Sequence, residues 1–129
     1  MKRSVFVVIL FLAFVVDAFS APTTVNTLSA TPATPNSITV CWTVPTPTVG
    51  KVLTAYDLRY SAAAINSLNW TSRIQFVGEP APAAPGTQQC TTVSALNAQT
   101  TYWFALKSRD SGSTTVWSII SNSAVTITY

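Results

Sequence analysis

Residues 37–43 read Ser-Ile-Thr-Val-Cys-Trp-Thr, and this stretch decides the fold. Ile38, Val40 and Trp42 recur at period two on one side, with Thr39 and Cys41 between them. Successive side chains of a strand point to opposite faces, so the pattern predicts a strand with one buried face. Pro45-Thr46-Pro47 ends it, because proline cannot serve an interior ladder. The same alternation recurs on either side. Ala55–Ser61 sets Tyr56, Leu58 and Tyr60 against Asp57 and Arg59. Ile74–Val77 and Thr87–Val93 follow, then Thr101–Arg109, with Tyr102, Phe104 and Leu106 on one side. Ser121–Tyr129 alternates through Val125, Ile127 and Tyr129, and a weaker strand over Val25–Ser29 opens the series. Glu79–Gly86, with its prolines, reads as a loop and Asp110–Thr114 as a turn. No helical period and no internal repeat interrupts the pattern. Seven short strands in about a hundred residues predict an all-β, two-sheet sandwich.

Hydrophobic residues make up 48% of the 129 and charged residues 9%, which excludes a disordered chain. Lys2 and Arg3 precede an apolar run from Val5 to Val16, and Asp17, Ala18 and Ser20 follow it. A basic start, a short apolar middle and a small-residue exit predict a signal peptide over residues 1–20, cut after Ser20. The run falls short of the ~20 residues that span a bilayer. No long apolar tail offers a C-terminal lipid anchor. The expected product is one domain over residues 21–129, extracellular (the periplasm or the cell surface included), with no stable membrane anchor. Its charges are Lys51, Arg59, Arg73, Lys107 and Arg109 against Asp57, Glu79 and Asp110, too few and too scattered for a nucleic-acid partner. Cys41 and Cys90 lie in a chain bound for a compartment where disulfides persist.

Several stretches resemble the fibronectin type III family, in order and over essentially the whole of residues 21–129. Residues 37–42 look like that family's second strand with its buried tryptophan, and residues 56–61 like its third. Residues 96–104, Leu-Asn-Ala-Gln-Thr-Thr-Tyr-Trp-Phe, resemble the turn into its sixth strand, with Tyr102 as the corner tyrosine. Trp117-Ser118 and Ser121-Asn122 resemble the entry to its last strand, and residues 78–82 resemble a segment of bacterial extracellular members. Ala98-Gln99 replaces the family's usual Pro-Gly, and the cysteine pair is a second departure. The resemblance implies an immunoglobulin-like, seven-stranded β-sandwich with Trp42, Tyr56, Leu58, Leu96, Tyr102 and Phe104 as structural core. It also implies that Cys41 and Cys90 stand on the solvent face of neighbouring antiparallel strands and form a disulfide. Members serve mostly as adhesion, receptor and spacer modules. The adhesive tripeptide Arg-Gly-Asp is absent, and Arg109-Asp110 lacks the intervening glycine.

No catalytic apparatus is legible, so the chain is not expected to be an enzyme. There is no histidine, the commonest general base and metal ligand. Asp57, Glu79 and Asp110 are spread over a strand and two loops and read as a solvated face. Two thiols fall short of a four-ligand metal site, and single turn glycines make no phosphate cradle, so no metal or cofactor is expected. Asn69-Trp70-Thr71 fits the glycosylation pattern, of consequence only in a eukaryotic host.

The candidate binding surface centres on Trp103, which alternates with the inward Tyr102 and Phe104. Lys107 from its own strand and Asp57 and Arg59 from the next should share that outer face, with small Ala105 leaving the indole accessible. An exposed indole there can stack on sugar or protein. Alternatively it stacks on Arg59 or Lys107 as a cation–π pair. Trp117 is expected at a sandwich edge near Arg109, and Trp70 fits either a structural or a binding role. Arg109 and Asp110 mark a second candidate, at a loop end. The expected function is a secreted, non-catalytic binding or adhesion module for a protein or carbohydrate partner. The alternatives are a self-associating subunit of an extracellular filament or coat, or a spacer from a longer protein.

Overall fold

The computed structural model describes residues 20–129. The expected leader, save Ser20, lies outside the described residues. Seven strands follow in order: β1 (Ser29–Thr34), β2 (Ser37–Thr43), β3 (Leu53–Ser61), β4 (Ile74–Gln75), β5 (Gln88–Val93), β6 (Thr101–Asp110) and β7 (Ala124–Ile127). They form two antiparallel sheets, β1-β2-β5 and β4-β3-β6-β7. Ile38, Val40 and Trp42 of β2 enter the core with Tyr56 and Leu58 of β3, Tyr102, Phe104 and Leu106 of β6, Val93 and Leu96. Trp42 meets Tyr56 edge to face at 5.0 Å between ring centroids. Burial pushes the Tyr56 phenol above its ordinary pKa, and its hydroxyl donates to Gln89 Oε1 at 2.7 Å.

The opening strand lies further along the chain than its alternation predicts. Val25 and Leu28 are core residues, but the ladder begins only at Ser29. Leu28 satisfies its backbone through a side chain instead. Its N–H donates to Asn122 Oδ1 and its carbonyl accepts from Asn122 Nδ2, both at 2.9 Å. β1 carries Pro32 and a register shift between Pro32 and Thr34, which an edge strand tolerates.

β2 and β5 pair in a register that sets Cys41 opposite Cys90, and the two form a disulfide. Cys90 is exposed, so the bridge lies on the solvent face of the three-stranded sheet. At the turn into β6, the Tyr102 hydroxyl accepts from the Asn97 N–H at 3.1 Å. Gln99 of that turn has φ 50°, the left-handed region that glycine adopts without strain.

The stretch between β6 and β7 runs back along β6 without being a strand. Ser118 and Ser121 donate their N–H groups to the carbonyls of Ser108 and Leu106. Their hydroxyls accept from the N–H groups of the same two residues, at 3.0 and 2.8 Å. Two serines spaced three apart thereby supply the acceptors a neighbouring strand would have provided.

Candidate functional site

The outer face of β3 and β6 is occupied rather than open. Residues 62–73 leave β3 and fold back over it through a single 3-10 turn, Trp70–Ser72. Trp70 lies on Ala105 with Ile65, and Trp103 and Ile120 flank this small second core. Trp70 is 5% exposed and Ala105 is fully buried. This corrects the expectation that Ala105 leaves a neighbouring indole accessible. The cations of the face engage Trp70, not Trp103: Arg59 lies 5.2 Å and Lys107 4.6 Å from its ring centroid. Trp103 is half-buried at the rim of the cluster. Arg109 stacks separately on Trp117, at 4.9 Å.

The three acids are structural, which corrects their reading as a solvated face. Asp57 is 7% exposed and holds Arg59 at 3.1 Å, while Arg59 Nη1 donates to the Trp70 carbonyl. Glu79 Oε1 accepts from the Leu58 N–H at 2.9 Å, completing β3 beyond the short β4. Asp110 is 2% exposed, so it is no loop-tip ligand. Its carboxylate accepts from the N–H of Thr48 at 2.8 Å and of Gly112 at 2.9 Å. Burial alone would raise its pKa, but these N–H groups and the nearby Lys51 charge hold it below the usual range. A Cβ on Gly112 would stand 2.9 Å from Asp110 Oδ1, so this turn is shaped around the carboxylate. Among the described residues, no cluster of three or more His, Cys, Asp or Glu could hold a metal ion.

Asn69 is likewise committed to its own loop. Its Nδ2 donates to the Ala64 carbonyl and its Oδ1 accepts from the Asn66 N–H, while Trp70 of the glycosylation triplet is core.

An open concavity lies instead at the loop end. A groove of about 370 Å³ is lined by Pro47, Lys51, Val52 and Leu53 on one side and Pro82–Pro85 on the other. Backbone bonds from Val44 to Thr87 and from Gly86 to Val44 hold the two loops together. Gln89 fixes the far wall, because Oε1 accepts from the Ala83 N–H and Nε2 donates to the Ala81 carbonyl. Asp110, through Thr48, fixes the near one. The lining is apolar apart from Lys51, and Val52 of the lining stands exposed. The sequence reading missed this groove. The only signal for it was the proline density of residues 45–47 and 80–85.

These strands, with a core tryptophan on β2 and the Tyr102 bond at the turn into β6, lie within the span that a family model matches but for the last residues of β7. The fibronectin type III domain model matches residues 20–124. The chain belongs to the fibronectin type III family. Solved structures with this fold include titin kinase and its flanking domains, at TM-score 0.58 and 20% identity over 84% of this chain. The chicken CNTN1 FN1-FN3 domains align at TM-score 0.56 and 21% identity over 84%. A Fn3-like protein from Clostridium thermocellum aligns at TM-score 0.55 and 19% identity over 82%. This chain spans 17% of the first, 33% of the second and 92% of the third. No curated protein matches. Fibronectin type III domains are commonly binding or spacer modules of multidomain proteins, and their fold is typically non-catalytic. Among the described residues, no helix is long and apolar enough to cross a membrane, and the disulfide is consistent with an extracellular location.

Proposed function

We propose that this fibronectin type III domain is a secreted, non-catalytic binding or adhesion module that engages a protein partner at its loop end. The observation that carries the reading is the apolar groove between residues 47–53 and 82–85, with Lys51 as its one charged lining residue. A concave apolar site with few, fixed polar groups suits an apolar protein segment. A carbohydrate would meet few side-chain hydrogen-bonding groups there. The disulfide and the basic-then-apolar leader support secretion. Capture from the native medium, run beside a glycan array, tests the reading. One protein should be retained by the wild-type domain and lost on Val52→Asp. Retention by that variant at full strength, or glycan binding that it leaves unchanged, overturns it. The second reading, a subunit of an extracellular filament or coat, is favoured by the open edge of the four-stranded sheet.

A further inference from the structure

We infer that the loop-end groove selects an acidic apolar segment of its protein partner, with the Lys51 ammonium receiving an aspartate or glutamate side chain beside aliphatic ones. This rests on the groove reading proposed above and adds the charge of the segment to it.

Lys51 stands apart from the other cations. Arg59 is taken by Asp57 and the Trp70 carbonyl, and Lys107 by the Trp70 ring. Arg73 Nη2 donates to the Ala64 carbonyl. Arg109 Nη1 donates to the Thr114 carbonyl while its guanidinium covers Trp117. Among the described residues, the exposed Lys51 side chain has no hydrogen bond, ion pair or ring partner. Asp110 does not engage it directly, because each carboxylate oxygen accepts a backbone N–H, from Thr48 and from Gly112. The Lys51 stem nevertheless has a fixed place. Its Cγ and Cε would lie 3.6 and 3.8 Å from a Cβ on Gly112, so it runs along the turn that Asp110 holds. An unpaired cation at the wall of an apolar groove favours an anion there, because charges attract more strongly where water is partly displaced.

The rest of the lining decides how that anion is presented. Pro47, Pro82 and Pro85 have no N–H. Those of Lys51, Val52 and Ala83 are spent on the Thr48 carbonyl, Ser111 Oγ and Gln89 Oε1. A partner strand would find no row of donors to pair with, and a chain-terminal carboxylate would find no nest of amides. A lone ammonium is a point charge on a flexible stem, which suits one carboxylate. Phosphate is better served by the fork of an arginine or by several N–H donors. The groove therefore offers aliphatic and prolyl surface and one ammonium. The matching segment carries aliphatic side chains with an acidic side chain among them.

The test is an amide-shift titration of the isotope-labelled protein, purified from its producing cells. The probes are capped peptides of leucine and alanine with one central glutamate, glutamine or lysine, and a leucine–alanine peptide that ends in a free carboxylate. The glutamate peptide should move the amides of Val52 and Ala83. It should bind about fivefold tighter than the glutamine peptide at low salt, with the lysine peptide weakest. The advantage should shrink as salt is raised. Lys51→Met should equalise the glutamate and glutamine peptides, and Lys51→Glu should turn the preference to the lysine peptide. Equal binding of the glutamate and glutamine peptides by the unaltered protein, or a glutamate preference that survives Lys51→Met, would overturn the inference and leave the groove reading standing. So would tighter binding of the peptide with the free terminal carboxylate. Failure of every peptide to move Val52 and Ala83 would overturn both.

Discussion

Lys107 holds its ammonium 4.6 Å from the centroid of Trp70, an indole thirty-seven positions earlier in the chain and buried against β6. With Arg59 also stacked at 5.2 Å, the ring is enclosed by two cations and the sheet. Trp70→Ala should therefore lower unfolding stability by about 3 kcal/mol, the low end for a buried tryptophan. Trp103→Ala should cost about 1 kcal/mol, because its half-buried ring loses less apolar contact. Denaturant midpoints of the two variants check the order. A larger loss at Trp103 would mean that the roles are reversed.

Removal of the disulfide has a predictable size. Cys41 and Cys90 lie 49 positions apart, and closing a loop of that length restricts the unfolded chain by about 4 kcal/mol. Replacing both cysteines with serine should lower stability by roughly that amount, less any relief of native strain. Thermal unfolding under reducing and non-reducing conditions gives the comparison. The wild type should respond to reductant and the double variant should not.

Tyr102→Phe removes the acceptor for the Asn97 N–H and leaves the ring in place. The expected loss is about 1–2 kcal/mol, the cost of a stranded, partly buried donor. An unchanged denaturation midpoint would show that water replaces the phenol oxygen at no cost.

Acid should loosen the loop end through Asp110. Its folded pKa is depressed, so the stability it contributes is complete above the ordinary carboxylate value of about 4. That stability is lost as pH falls from there through the lower folded value. Asp110→Asn should lower stability at pH 7 but flatten the fall that begins below about pH 4. Equal acid sensitivity in the two proteins would assign that fall to other carboxylates.

The parts of the fold that were legible are those governed by period two. The bounds of β2 match the alternation of residues 37–43, and the alternation in β3 and β6 places Leu58 and Phe104 in the core. β1 was not legible, because Ser-Ala-Thr-Pro-Ala-Thr carries little apolar signal and Val25 and Leu28 just before it carry more. The cover over Ala105 comes from an aperiodic loop whose tryptophan meets residues distant in sequence, which no local pattern reports. The acids were misread for a related reason. Asp110 and Glu79 are satisfied by backbone N–H groups 62 and 21 positions away, and a side chain's exposure cannot be inferred when its partner is an unmarked amide. The groove is shaped by backbone, so its residue types gave only a hint of it.

The Cys41–Cys90 bridge also bears on how the domain would respond to tension. A pull applied through its two ends reaches β1 and β7 first, and both lie outside the covalent loop. Even with every strand parted, the residues between the two sulfurs cannot join the extended thread. At about 3.4 Å per residue this withholds roughly 160 Å of slack. The groove lies within that loop, since Pro47 and Pro85 both fall between the cysteines. A partner held there would ride on a knot of fixed length while the rest of the chain stretched.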